Sequence, residues 1–207
     1  DAAEDACGEC GGDDTSGVYC LDLEETGVSQ AVIFSETVSL DVGDEIGIYD
    51  SNALLSDGEC SYQYGELLVG RGTWTGQQLN MVAISSIDFC NFDDGYQLPG
   101  FVEGNPIVIR VWDASEGVEY DTIFDITAGS YEFEETSFVV VSELEFAFYG
   151  CTDAEACNYD ENANQDDGSC NYAEENFDCD GNCIVEEDCF GECGGDAYVD
   201  DCGDCVV

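Results

Sequence analysis

Only two side chains in this sequence, Arg71 and Arg110, carry a permanent positive charge. They face 49 aspartates and glutamates, and there is no lysine or histidine. A formal charge of −47 on 207 residues is a self-repulsion problem that internal ion pairs cannot solve. Bound divalent cation, ambient salt and covalent cross-links are the remaining solutions. The acidity sits in short Asp/Asn/Gly strings between cysteines, as in liganded loops, and not in the even spread of halophilic solvation. The 14 cysteines point to an oxidising compartment, and their even number is compatible with full pairing. At 44% hydrophobic and 12% aromatic the chain holds enough apolar surface for a core, unlike a disordered acidic tail. Nucleic acid and anionic membrane surfaces need a positive footprint and are excluded as partners. No apolar run approaches the length of a membrane span. The start lacks a basic region followed by an apolar one, so Asp1 is expected to begin a mature or excised segment.

Composition divides the chain into three. Residues 1–20 are rich in Cys, Gly and Asp. Residues 21–149 hold only Cys60 and Cys90 and most of the large apolar side chains. Residues 150–207 place nine cysteines among Asp, Glu, Asn and Gly. That segment lacks the aliphatic residues for a core, so disulfides or metal must staple it. GECGGD occurs at Gly8–Asp13 and again at Gly191–Asp196, and DAAEDACGEC from Asp1 lines up with DAYVDDCGDC from Asp196. The end re-enters the phase of the beginning, as in one unit of an array or a subunit whose tail meets a neighbour's head.

The middle segment reads as all-β. Strands are expected at Val28–Phe34, Glu45–Tyr49, Glu66–Val69, Gln78–Ile84, Ile107–Trp112, Tyr120–Ile126 and Phe138–Phe148. Leu144, Phe146 and Phe148 alternate with Glu143, Glu145 and Ala147, which predicts one buried and one wet face. Seven short strands suggest an immunoglobulin-like antiparallel β-sandwich. Trp112 is expected in its core, and Trp74 is open to a carbohydrate-platform reading.

Without histidine there is no Ser-His-Asp triad and no histidine-ligated zinc. Without lysine there is no Schiff base and no phosphate-loop lysine. Carboxylate-pair catalysis is the one chemistry left, and no pair stands out, so no enzymatic activity is expected. The oxygen-rich strings suggest calcium instead. Asp160, Asn162 and Asn164 alternate in a tight loop, Asp166 and Asp167 precede Gly168, and Asp153 can return as a further ligand. Asp178, Asp180 and Asn182 form a second candidate loop. Asp196, Asp200 and Asp201, with Asp204, form a third, and Asp13 with Asp14 is its N-terminal counterpart. The competing reading is a solvated turn in which these side chains bind their own backbone. In the β-segment, the loops around Asp41, Asp44 and Glu45, around Asp50, and around Asp88, Asn91, Asp93 and Asp94 are candidates for calcium or sugar. Cys7-Gly-Glu-Cys10 and Cys202-Gly-Asp-Cys205 read as disulfide framework ahead of zinc or redox pairs. Cys60 and Cys90 are the natural pair in the middle segment.

GCTDAEACNYDENANQDDGSCNY (Gly150–Tyr172) resembles the acidic cysteine repeat of large secreted surface proteins of marine microbes, itself loosely similar to thrombospondin type 3 calcium-binding repeats. DCDGNCIVEEDCFGECGGDAYVDDCGDC (Asp178–Cys205) is similar to the Cys-Gly-Gly-Asp repeats that accompany it. GDEIGIYD (Gly43–Asp50), GTWTGQQLNMVAI (Gly72–Ile84) and FVEGNPIVIRVWDASEGVEY (Phe101–Tyr120) look like the β-sandwich module of the same proteins. The resemblance implies an extracellular, calcium-dependent structural or adhesive protein. Asn162 and Asn164 stand where thrombospondin repeats carry Asp, which lowers the site charge. The combined expectation is a secreted protein whose copies join head to tail into a filament or surface stalk, with calcium both organising the acidic loops that cannot fold by burial and neutralising their carboxylates so that neighbouring units approach. The alternative is an adhesin or carbohydrate-binding module that meets glycans or other surface proteins.

Overall fold

The computed structural model describes residues 18–58 and 60–207. The expected ligands Asp13 and Asp14, and most of the N-terminal repeat fragment, lie outside the described residues. The described chain is all-β and divides between Phe146 and Ala147 into two compact units.

The first unit is one seven-stranded sheet. β1 (Ser29–Phe34), β2 (Glu45–Leu54), β3 (Tyr64–Thr73), β4 (Leu79–Ile84), β7 (Val108–Asp113), β8 (Val118–Ala128) and β9 (Phe138–Phe146) lie in the order β3-β2-β7-β8-β9-β1-β4. Two residue pairs, β5 (Ile87–Asp88) and β6 (Gln97–Leu98), form a separate small ribbon. All seven predicted strands are present, with shifted ends. Their arrangement departs from the expected antiparallel sandwich in two ways. β1 and β9 pair in parallel, Ala31 to Phe34 beside Phe138 to Val141. And the single sheet curls until its end strands meet, so it is nearly a barrel. Glycines permit that approach: a Cβ at Gly70 would lie 2.6 Å from the Val82 carbonyl oxygen, and one at Gly72 about 3 Å from Met81. Closure shields edge strands that would otherwise present unpaired amides.

The core follows period-two alternation. Gln30, Val32 and Phe34 of β1 are buried between half-buried neighbours, as are Ile109 and Val111 of β7, and Val139 and Val141 of β9 alternate with more exposed neighbours. They pack with Ile46, Ile48, Val69, Met81, Ala83, Phe101, Phe133 and Leu144. Each large side chain so buried contributes about 1.5–3 kcal/mol. The two tryptophans exchange their expected places. Trp74, 2% exposed, belongs to the core; its amide donates to the Asp44 carbonyl and its carbonyl accepts from Gly43. Trp112 is only half-buried, because the alternation of β7 points Val111 inward. The buried phase of β9 also ends early: Leu144 is buried, Phe146 half-buried and Phe148 exposed, since the strand stops at Phe146.

On the outer face, Val18 and Tyr19 donate their amides to Glu45 Oε2 at 3.0 and 3.4 Å. Tyr19 meets Tyr49 edge-on, with centroids 6.0 Å apart. Arg110 lies 4.7 Å above the Tyr49 ring. Its guanidinium binds Glu66 through two bonds of 2.9 and 2.8 Å and Asp121 through one of 3.1 Å. Burial, and next the Glu119 carboxylate, push the Tyr49 phenol up to about 12. Burial raises the Tyr19 phenol further; Glu119 adds to this from nearby without reaching hydrogen-bond geometry with the Tyr19 hydroxyl.

Candidate functional site

The second unit, Ala147–Val207, contains 18 Asp and Glu and no Lys or Arg. Internal ion pairs between side chains are therefore impossible. Its only buried side chains among the apolar residues are Ala147, Cys151 and Ala156, so no apolar core holds it either. Two other devices do.

The first is a repeated hairpin whose tip is organised by an aspartate. Asp178, Asp188 and Asp200 each begin a five-residue loop with glycine at the fourth position. In each loop Oδ1 accepts the amides two and four residues on. The distances are 3.0 and 2.7 Å for Asp178, 2.9 and 2.8 Å for Asp188, and 2.9 and 2.9 Å for Asp200. The main chain closes the same ring. The aspartate amide donates to the carbonyl of the fifth residue, and the glycine amide returns to the aspartate carbonyl. Gly181, Gly191 and Gly203 adopt φ of 79°, 81° and 88°, a left-handed conformation that costs other residues strain. Paired residues flank every tip: Phe177 with Cys183, Glu187 with Cys193, and Val199 with Cys205. The local code is Asp-x-x-Gly-x-Cys, and its aspartate and glycine close the loop through backbone hydrogen bonds.

The second device links the hairpins. Cys183–Cys193 joins the first to the second, and Cys189–Cys205 the second to the third. Cys157–Cys179 ties the first back to the preceding segment, where Cys151–Cys170 closes another loop. Cys60–Cys90 forms in the β-unit as expected, and Cys20 is also disulfide-bonded. Cys202 and Cys205 do not pair with each other: Cys205 is in the ladder and Cys202 is free and exposed. This many disulfides suits an oxidising environment. Among the described residues no helix is long and apolar enough to cross a membrane.

The predicted calcium ligands are mostly bound to backbone. Asp160 Oδ1 accepts the amide and the side-chain amide of Asn162 at 2.9 and 3.1 Å. Asn164 Oδ1 accepts from the Phe148 amide at 2.8 Å. Asp166 and Asp167 accept from Gly168 and Ser169. Asp153 accepts from the Glu155 amide and the Tyr172 hydroxyl. Asn182 donates its side-chain amide to Asp178, while Asp180, Asp196 and Asp201 are exposed. Among the described residues, no three His, Cys, Asp or Glu come together in a group able to hold a metal ion. In the β-unit, Asp44 accepts from the Asp41 and Ala114 amides, and Asp50 is fully buried among amide donors. Sequence reasoning missed Asp188 altogether. The signal was present in the spacing, because Asp188-Cys189-Phe190-Gly191-Glu192-Cys193 matches Asp178–Cys183 in Asp, Gly and both Cys positions.

Hydrogen bonding to the ionised form lowers the affinity of these loop carboxyls for protons. For Asp178 the first cause is the Asn182 side chain, then backbone amides; for Asp188 it is the Glu192 amide. Both carboxyls are held below the ordinary 3.8. A depressed folded value means the stabilisation is fully present above the unfolded value and lost as pH falls through the folded one. Amides of Asp180, Asn182, Phe190 and Glu192 are therefore expected to lose hydrogen-exchange protection below about pH 4, while β-unit core amides stay protected. Equal loss in both units would show that the loops are not the acid-sensitive element.

No protein-family model, curated protein or solved structure matches this chain.

Proposed function

We propose that the chain is a structural module of a secreted or cell-surface protein, joined head to tail with copies or like modules into a filament or surface stalk. The hairpin ladder is the observation that carries this reading. Each hairpin is bonded to the next, as in architectures that grow in one direction. The shared cysteine phase of residues 1–10 and 196–205 supports continuation of the pattern from one module to another. The β-unit is then the displayed element and the ladder the spacer.

Calcium enters this reading as a neutralising cation and not as the organiser of the loops. The Oδ1 atoms of Asp178, Asp188 and Asp200 already serve backbone amides. Exposed carboxylates such as those of Asp180, Asp196 and Asp201 remain for cations at the millimolar levels found outside cells, and neutralised carboxylates let acidic modules approach. Sedimentation of the full chain in millimolar calcium is expected to show assemblies that a chelator disperses, while hydrogen exchange at the hairpin tips stays unchanged. Persistence of a lone monomer at every calcium concentration would overturn the filament reading. Melting of the tips on chelation would return calcium to the organising role.

A further inference from the structure

The ladder leaves one feature of the β-unit unexplained. The loop between β5 and β6 carries three aromatic rings in solvent: Phe92 is 69% exposed, Phe89 42% and Tyr96 41%. They form an edge-to-face cluster, with Phe89 5.6 Å from Tyr96 and 6.2 Å from Phe92 between centroids. The cluster is held rigidly. Phe89 donates its amide to Tyr96, Phe92 to Phe89 and Gly95 to Phe92. Gly95 runs so close to the Phe89 carbonyl that no Cβ fits there. The Gly58 amide donates to the Gln97 carbonyl, and Cys60–Cys90 ties the neighbouring loop to this one. Rigid apolar rings in water are a standing cost unless something covers them.

The surrounding charge says what. Asp57, Asp93 and Asp94 are exposed on these two loops and Asp88 at the end of β5, and among the described residues no ion pair reaches them. The same molecule shows how it satisfies rings beside carboxylates: Arg110 lies over Tyr49 and binds Glu66 and Asp121 at once. A second copy cannot supply such a cation, because the chain has two arginines and no lysine, and both arginines are engaged. We propose that the Phe89–Phe92–Tyr96 tip is a docking surface for an arginine- or lysine-bearing segment of a different, basic protein, with the cation over the rings and its donors on the flanking aspartates.

The probe is a short arginine peptide amide, titrated into the full chain at 0.15 M salt and followed by NMR of the aromatic side chains. The ring signals of Phe89, Phe92 and Tyr96 are expected to shift, and the uncharged citrulline peptide to leave them in place. Phe92→Ser and Tyr96→Ser keep every charge and change exposed rings. Each is expected to weaken the peptide about fivefold, with unchanged amide spectra in β1–β9 showing that the fold is intact. Equal affinity of wild type and both variants would mean that the peptide follows net charge alone, and would overturn the proposal. So would a neutral oligosaccharide that moves these rings where the arginine peptide does not. Neither result bears on head-to-tail assembly, which is read separately by sedimentation.

Discussion

Complete reduction of the disulfides is expected to unfold Ala147–Val207 while the seven-stranded sheet stays folded in the same molecule. The two units rest on different physics. The sheet buries Trp74, Phe34, Phe101, Phe133 and a set of aliphatic residues, while Cys60–Cys90 joins two loops at its margin. The ladder buries almost nothing apolar. Its four disulfides close separations of 19, 22, 10 and 16 residues. In the chain-entropy model each such closure stabilises by about 3 kcal/mol. Together they supply roughly 10 kcal/mol, comparable with the whole stability of an ordinary domain at about 5–15 kcal/mol. The aspartate loops alone do not replace that sum, since a net hydrogen bond contributes only about 1 kcal/mol. Hydrogen exchange before and after reductant, resolved by segment, makes the measurement. The expected result is coil-like exchange across 150–207 and retained protection in β1, β7 and β9. Retained protection at the tips of the reduced chain would show that the aspartate rings fold without covalent help.

The second large effect is expected at Asp50, whose carboxylate is fully buried with no cation beside it among the described residues. Four hydrogen bonds hold it. Asn52 and Val102 donate their amides at 2.8 Å each, and the Asn105 side-chain amide reaches both oxygens at 2.9 Å. The residue stands where β2 shifts register against β3, between Asp50 and Ala53. It therefore anchors the bulged half of β2 to the 102–105 turn. Asp50→Ala leaves the part-buried Asn52 and Val102 amides without their acceptor, while the Asn105 side-chain amide keeps the Asn52 carbonyl; at roughly 1–3 kcal/mol for each orphaned donor, a loss of about 2–5 kcal/mol is expected. Asp50→Asn keeps the shape but sets an amide donor against donors, and a smaller loss is expected. Urea unfolding followed by the fluorescence of buried Trp74 reads both. A loss under about 1 kcal/mol for the alanine variant would mean that water replaces the carboxylate and that the anchor is dispensable.

Strand positions were legible because each is a local pattern of β-branched and aromatic residues bounded by Gly, Asp and Asn. Their assembly was not. Whether seven strands make two stacked sheets or one curled sheet depends on contacts between distant strands, here Gly70 against Val82 and the parallel pairing of Val32 with Val139. The same holds for the tryptophans, whose exchange of places turns on how β7 faces the core. In the acidic segment, alternating oxygens were read as ligands, yet an aspartate beside its own amides has two uses. Spacing alone does not separate a cation shell from a ring of backbone bonds.

Composition by itself determined that this protein has no internal supply of positive charge, that its C-terminal third has no apolar core, and that its cysteines must staple what burial cannot. Those conclusions follow from counting, because charge and apolar area are sums over residues. Which aspartate oxygens face inward, which cysteines meet, and how the strands close were decided only in three dimensions. Hydrogen bonds, disulfides and side-chain packing are set by distances of a few ångströms between groups that the chain carries far apart.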